Sequence, residues 1–508
     1  MKFIKLAVLT LFITGASFQL FSQYVWDYPD RPSYSQWCQI MTDLGKYDQV
    51  ICDTLGTSVN GRLLHVLTVT TNPEERGEKP KFQWVSGIHG NETSPIMNAP
   101  WMVDWLVNNY ATDARAKLIL DSVIIIMVPL HNPDGCYSNG NSTFGGVRTN
   151  ANGVDMNRNY PYPPNFPGLG TNPASPTKEV NLLMELFNQH VTTLGWGWHS
   201  GFEGFSVPWT CIVKKHQDFE WYTYVSRQFI DKVQDEAANY HITSLQDNGY
   251  WDAYQDGMAW TDGGYNVLKG TGKDWITWYR YTRGTCPEIS NPQLITSASE
   301  FQKYWDWTYE ASLDYMLQIL NGIRGRVQVD GKGVRAKVFV NDHDEPVNNV
   351  EYHLYVYSDS TGNGCYTRLI YRGTYSLTFT VAAEDSPDGK EYDSTITGVV
   401  VENDKKTHLD VFFNSGTGII ANNKFIHLED LKISQLNRNI HISFGDYTGR
   451  AKADIYNASG RLVKSIVSNS NTISWNGLSN NGSKVSAGCY ILHLQAANNS
   501  LKKTFMIY

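Results

Sequence analysis

No apolar run of membrane-spanning length follows the first two dozen residues, so no bilayer-crossing helix is expected in the body of this 508-residue chain. No basic cluster interleaved with aromatics is present, and the net charge is −8, so a nucleic-acid partner is excluded. The seven cysteines (Cys38, Cys52, Cys136, Cys211, Cys286, Cys365 and Cys489) form no C-x-x-C pair, which argues against a cysteine zinc cluster. Their odd number leaves at least one thiol free or intermolecular, even if export allows others to pair.

What the chain does have is material for a large core. Apolar residues make up 41% of it, and its length suits about three domains. Lys2 and Lys5 precede an apolar stretch over residues 6–18, the pattern of a secretory signal. Cleavage is expected between Ser17 and Tyr24, which assigns residues 1–23 to the signal peptide. That stretch holds no cysteine, so no lipoprotein anchor is expected, and no segment of propeptide size separates it from the first domain.

Residues 24–321 alternate short β-rich apolar runs with helical patterns. Strands are predicted over 64–69, 82–85, 123–130, 194–198 and 285–289, and helices over 94–110, 178–190, 218–236 and 297–320. This alternation predicts an α/β domain with a mixed, mostly parallel sheet flanked by helices. From residue 322 the pattern becomes period two, with strands predicted over 336–340, 352–357, 375–381 and 394–401. Residues 322–415 are therefore read as a small all-β sandwich. A small-residue linker at 416–426 leads to a second all-β segment, 427–508, divided by turns such as Ser459-Gly460.

The chemistry concentrates at predicted strand ends, where α/β folds gather their ligand sites. Residues 82–85 run through Gly87 into His89-Gly90-Asn91-Glu92, which offers an imidazole and a carboxylate, both good zinc ligands, three residues apart. On its own the pattern equally fits a polar loop after a strand. Gly197-Trp198-His199-Ser200-Gly201 supplies a third ligand at a similar turn. His131 also follows a strand, but Asn132-Pro133-Asp134-Gly135 marks it as a turn residue with a structural role. Glu288 is an isolated carboxylate in an apolar strand. Alone it reads as exposed or ion-paired; beside a metal it reads as a general base for a bound water. Arg158 could grip a carboxylate with two parallel bonds, Asn157 adds a donor, and Arg148 is a second cation; the alternative is two solvated arginines.

Taken in order, these pieces resemble the zinc metallocarboxypeptidases, the family of carboxypeptidase A and the regulatory carboxypeptidases D, E, M and N. The resemblance adds Gly56-Thr57-Ser58-Val59-Asn60-Gly61-Arg62 and Gly153-Val154-Asp155-Met156-Asn157-Arg158-Asn159-Tyr160-Pro161. It implies one zinc per catalytic domain, held by His89, Glu92 and His199. It implies that Glu288 activates a zinc-bound water and that Arg148 polarises the scissile carbonyl. It implies that Asn157, Arg158 and Tyr265 grip the terminal carboxylate of a peptide or protein, which makes the enzyme an exopeptidase. Tyr265 is preferred over Asn266 because a phenol can donate. Residues 268–275 belong to the specificity stretch: Asp274 could select basic side chains, Lys269 and Lys273 oppose it, and Trp209, Trp275 and Trp278 suggest an aromatic wall. Acidic, apolar and basic C-terminal residues all remain open.

Residues 322–415 resemble the transthyretin-like sandwich of regulatory carboxypeptidases. Tyr456-Asn457-Ala458-Ser459-Gly460-Arg461, Trp475-Asn476-Gly477, Gly488-Cys489-Tyr490 and Lys502-Lys503 resemble a type IX secretion sorting domain. Together they imply a monomer, exported by that machinery and then secreted or held at the outer-membrane surface. Two alternatives are a cell-wall muropeptide carboxypeptidase or amidase on the same fold, and a non-catalytic binding module.

Overall fold

The computed structural model describes residues 27–74, 77–162, 175–212, 216–239, 268–347, 352–415, 418–420, 431–436, 439–444, 451–470, 472–496 and 499–507. The signal stretch, most of the linker and Tyr265 lie outside these residues. Among the described residues no helix is long and apolar enough to cross a membrane. All seven cysteines are free thiols.

The first part contains α1 (Tyr34–Leu44), β1 (Val50–Thr57), β2 (Leu63–Val69), β3 (Lys81–Ser86), α2 (Thr93–Asn108), α3 (Ala114–Ser122), β4 (Ile124–Val128) and the short α4 (Pro133–Cys136). It continues with α5 (Lys178–Asn188), β5 (Leu194–Trp198), β6 (Phe202–Ser206), α6 (Phe219–Asn239), α7 (Gly272–Arg280), β7 (Cys286–Ser290) and α8 (Ala298–Leu317). The sheet order is β1-β2-β4-β3-β5. Backbone bonds from Gly195, Gly197 and His199 to the carbonyls of Arg283, Thr285 and Pro287 carry it on to β7, which pairs antiparallel with β6. The centre, β4-β3-β5, is parallel, and both edges are antiparallel. The sheet is thus mixed, as expected, with its parallel part confined to the middle.

The central strands β3, β4 and β5 are buried at every position. This is why they read as unbroken apolar runs rather than alternations. α1, α2, α3, α6 and α8 cover one face of the sheet, and α5 and α7 cover the other. Trp84 of β3 stacks on Trp198 of β5 with ring centroids 3.8 Å apart, locking the two strands that carry the histidines.

Beyond Gly322, two sheets enclose one core of Val, Ile, Leu and Phe side chains. In the first of these strands, Gly322–Val329, burial alternates from Arg324 onward, as period two requires for a half-buried strand. The predicted strand over 352–357 shortens to Val356–Tyr357. Tyr352 and Leu354 are drawn instead into a cluster with Trp209 and Trp278, and the His353 ring stacks 4.2 Å from Trp278. The C-terminal segment forms two further sheets of three and four strands around Trp475, Leu492 and their neighbours.

A buried ion network joins the sandwich to the α/β body. Asp218, just before α6, lies 2.8 Å from Arg283 Nε and 3.1 Å from Arg368 Nη1. Arg368, in the sandwich, also reaches Asp344 at 2.7 Å. Burial would raise the Asp218 carboxyl, but the two guanidinium charges outweigh it and hold it well below the carboxylate range. Asp218→Asn leaves two buried guanidinium groups short of a counter-charge and should destabilise the fold by about 3–5 kcal/mol, read as a lower urea midpoint. A folded pKa below the unfolded value of about 3.9 means this stabilisation is complete above that value. It is lost as pH falls towards the folded pKa, so the gap between the two proteins should narrow in acid. An unchanged midpoint at neutral pH would count against the network.

Candidate active site

Parallel pairing of β3 with β5 sets Ser86 beside Trp198, so both chains leave the sheet at the same edge. His89 lies three residues past the first strand and His199 one residue past the second. Gly87 makes the turn between Ser86 and His89 at φ +64°, a backbone conformation that favours glycine. Glu92 caps α2 at its N-terminus, where the helix dipole favours a negative charge.

The three side chains converge and all are buried. Glu92 Oε1 lies 2.6 Å from His89 Nδ1, and Oε2 lies 2.9 Å from His199 Nδ1. One ligand atom from each residue falls within 4.8 Å of the others, a group able to hold one ion. Burial would raise the Glu92 carboxyl, but the His89 and His199 charges hold it far below its usual range. Burial lowers the His199 pKa, but the Glu92 charge overrides it and lifts the ring well above the ordinary value. Two imidazoles and a carboxylate converging in a buried pocket match the donor set of a catalytic zinc, which keeps a position open. His89 Nε2 meets Asp155 Oδ1 at 3.1 Å, the outer partner that orients a ligating imidazole.

Glu288 stands beside the triad. Its backbone bridges His199 on one side and pairs with Gly204 of β6 on the other. The β6 strand was not foreseen in the sequence. Glu288 Oε2 is shut from solvent and has no hydrogen-bond partner among the described residues. Burial pushes its carboxyl up to about 8, against the His199 charge and with the Glu92 charge adding to it. Arg148 places Nε 3.0 Å from Asp155 Oδ2 and Nη1 3.4 Å from Glu92 Oε1. Asn157 Oδ1 accepts from Gly272 N at 3.1 Å, which leaves its amide N–H groups to donate elsewhere. Arg158 donates to the Asn157 carbonyl at 2.7 Å. The triad, Glu288, Arg148, Asn157 and Arg158 all line one cavity of about 210 Å³. Seven of the eight predicted site residues therefore share a pocket, and Tyr265 lies outside the described residues.

Other sequence expectations find structural explanations. His131 is buried, with Nε2 3.0 Å from the Glu179 carbonyl, consistent with a structural role. Asn132 donates to the carbonyls of Ile88 and Arg148, so the turn it opens braces both the zinc loop and the arginine. Arg62 pairs with Asp134 at 2.7 Å, tying the early glycine-rich motif to that turn.

Two expectations about specificity are corrected. Asp274 does not line the cavity: its carboxylate accepts from Thr210 N, Thr210 Oγ1 and Cys211 N. The tryptophans do not form a wall there. Trp275 packs on Trp196 and Tyr160, and Trp209 on Trp278, because the core takes the larger apolar faces.

The profile described as zinc carboxypeptidase matches residues 36–311. The chain belongs to the zinc carboxypeptidase family. It is similar to carboxypeptidase D of Anas platyrhynchos, 27% identical over 349 residues, covering 65% of this chain and 23% of that protein. It is also similar to carboxypeptidase M of Mus musculus, 26% identical over 360 residues, covering 66% of this chain and 73% of that one. The chain thus spans about a quarter of the length of the carboxypeptidase D relatives it matches. Among solved structures, thrombin activatable fibrinolysis inhibitor aligns with a TM-score of 0.47 at 17% identity, covering 56% of this chain and 73% of that one. Residues 436–508 match a secretion system C-terminal sorting domain, which marks this chain for secretion or cell-surface attachment.

Asp155 was visible in the sequence only as a turn former within the arginine motif, with no sign that it reaches His89. Asp155→Ala should weaken zinc binding by about 10–100-fold, read by competition with a chromophoric chelator. His199→Ala should abolish stoichiometric zinc. Unaltered affinity in the first variant, or full zinc content in the second, would remove that residue from the metal site.

Proposed function

We propose that this protein hydrolyses the C-terminal peptide bond of peptides or proteins outside the cell, with a single zinc held by His89, Glu92 and His199. The observation that carries the reading is one cavity lined by the buried triad, a partnerless glutamate oxygen and two arginines. A zinc ion held by these three residues would supply Lewis-acid chemistry there. Glu288 takes a proton from that water and returns it to the leaving amine. Burial raises its carboxyl from the ordinary carboxylate range towards neutrality, which favours a group that both accepts and releases a proton. Arg148, steadied by Asp155, donates to the carbonyl oxygen as negative charge develops on it. Arg158 and the free amide of Asn157 hold the substrate's terminal carboxylate, and Tyr265 is assigned to the same grip. That grip restricts the reaction to free C-termini.

We read residues 322–415 as a transthyretin-like sandwich and residues 427–508 as the type IX sorting domain, with residues 1–23 as the signal peptide. The working unit is assigned as a monomer.

Glu288→Gln should retain zinc and lower kcat by about 10²–10⁴-fold. Near-normal turnover in that variant would remove Glu288 as the proton carrier. The substrate class is tested with a peptide pool carrying every C-terminal residue, as free acids and as amides, read by mass spectrometry with and without a chelator. Stepwise loss of single residues from the free acids alone, stopped by the chelator, is expected. Intact peptides at full zinc occupancy would exclude the peptide reading and direct attention to muropeptides.

A further inference from the structure

The active-site cavity is also lined by Lys273, in the first turn of α7. Its side chain is buried, with the residue 2% exposed. The ammonium donates to Ser206 Oγ and to the Val207 carbonyl, both of them neutral groups. A lysine has three N–H bonds, so one is left over among the described residues. The adjacent acid, Asp274, is committed to Thr210 and Cys211 and lies outside the cavity. Glu288 is the remaining carboxylate near Lys273 in this cavity, and the reaction employs it. Burial pushes the Lys273 ammonium below its ordinary range. A buried cation whose hydrogen-bond acceptors among the described residues are neutral is costly even with the Asp274 and Glu288 charges nearby, and an arriving anion relieves that cost.

The neighbouring lining includes the small polar Ser206, Thr210 and Thr271 and the apolar Leu268. None of these described residues offers an aromatic face or a carboxylate to a substrate side chain. The loop that leads into Lys273 is joined to the carboxylate-gripping residues. Gly272 N donates to Asn157 Oδ1, and Gly270 packs so tightly on Arg158 that a Cβ would lie 2.4 Å from the Arg158 carbonyl oxygen. Two cationic groups, Arg158 and Lys273, are thus held in one pocket by a shared loop contact. A C-terminal residue with two carboxylates, one on the backbone and one on the side chain, complements them.

We propose that Lys273 makes this enzyme selective for peptides ending in glutamate or aspartate. The inference rests on the carboxypeptidase reading above, because it takes Arg158 as the partner of the terminal carboxylate. An uncharged isostere such as glutamine can still accept from Lys273 but leaves its buried charge uncompensated, and a basic side chain would meet a like charge.

The test uses the full chain loaded with zinc and matched free-acid peptides ending in Glu, Asp, Gln, Leu and Lys. The expected kcat/KM for Glu exceeds that for Gln by about 100-fold, and Lys-ending peptides are the poorest. In Lys273→Met the Glu-to-Gln ratio should collapse towards one; Lys273→Arg should keep much of it. Zinc content and thermal midpoint report on whether each variant folds. A wild-type ratio near one, or Leu- or Lys-ending peptides cleaved as well as Glu-ending ones, would overturn the proposal. If no peptide is cleaved, the carboxypeptidase reading fails by itself, and the lysine is then tested by binding. Calorimetry on zinc-loaded Glu288→Gln should show the Glu-ending peptide bound at least tenfold more tightly than the Gln-ending one. Equal binding overturns the assignment of Lys273.

Discussion

Glu92 touches two imidazoles and an arginine at once, and most of the active site can be traced to how that carboxylate is kept charged while 2% exposed. Desolvation works against it, and the balance is restored by His89 and His199. A metal bound among these groups would serve the same end. The requirement reaches into the sheet. β3 and β5 must run parallel and end level, or the two histidines would not meet one carboxylate. The stacked Trp84 and Trp198 hold that register from within the core.

The same environment separates the two glutamates of the pocket. Glu92, surrounded by cationic partners, is held far down, whereas Glu288 has an oxygen with no partner and is pushed up to about 8. One carboxylate is thereby suited to staying charged and the other to exchanging a proton. Neither property belongs to glutamate as a residue type. Both come from what each strand end places around it: His199 and Gly204 flank the Glu288 backbone, while Glu92 faces the histidine rings.

Around this centre the chain divides its labour. Asn132, Asp134 and Arg62 contribute bracing, holding the zinc loop and the Arg148 backbone from behind. Asp218, Arg283 and Arg368 join the sandwich to the α/β body through charges that are buried and mutually dependent. The C-terminal sandwich has a core of its own, and its sorting-domain match concerns where the protein goes rather than what it cleaves.

The central strands and the helices α2, α5, α6 and α8 were legible in the sequence because apolar runs and helical periodicity report burial directly, whereas α1, β1, α3, β6 and α7 were not predicted. His89, Glu92, His199 and Glu288 were legible because metal-binding or acidic residues at the ends of apolar strands stand out against their surroundings. The sequence alone was sufficient for the α/β class, the family resemblance and the choice of three residues that converge in the fold. It was not sufficient for Asp155, whose role depends on a loop folding back 66 residues to meet His89. Nor could it choose between Lys273 and Asp274. Consecutive helical residues point about 100° apart, so one-residue neighbours can face entirely different surroundings. Tertiary packing turned the acid into the wall behind the pocket and the lysine into the pocket itself. That choice of charge was made by the placement of α7 against Asn157, Thr210 and Ser206, a set of long-range contacts that no local pattern encodes.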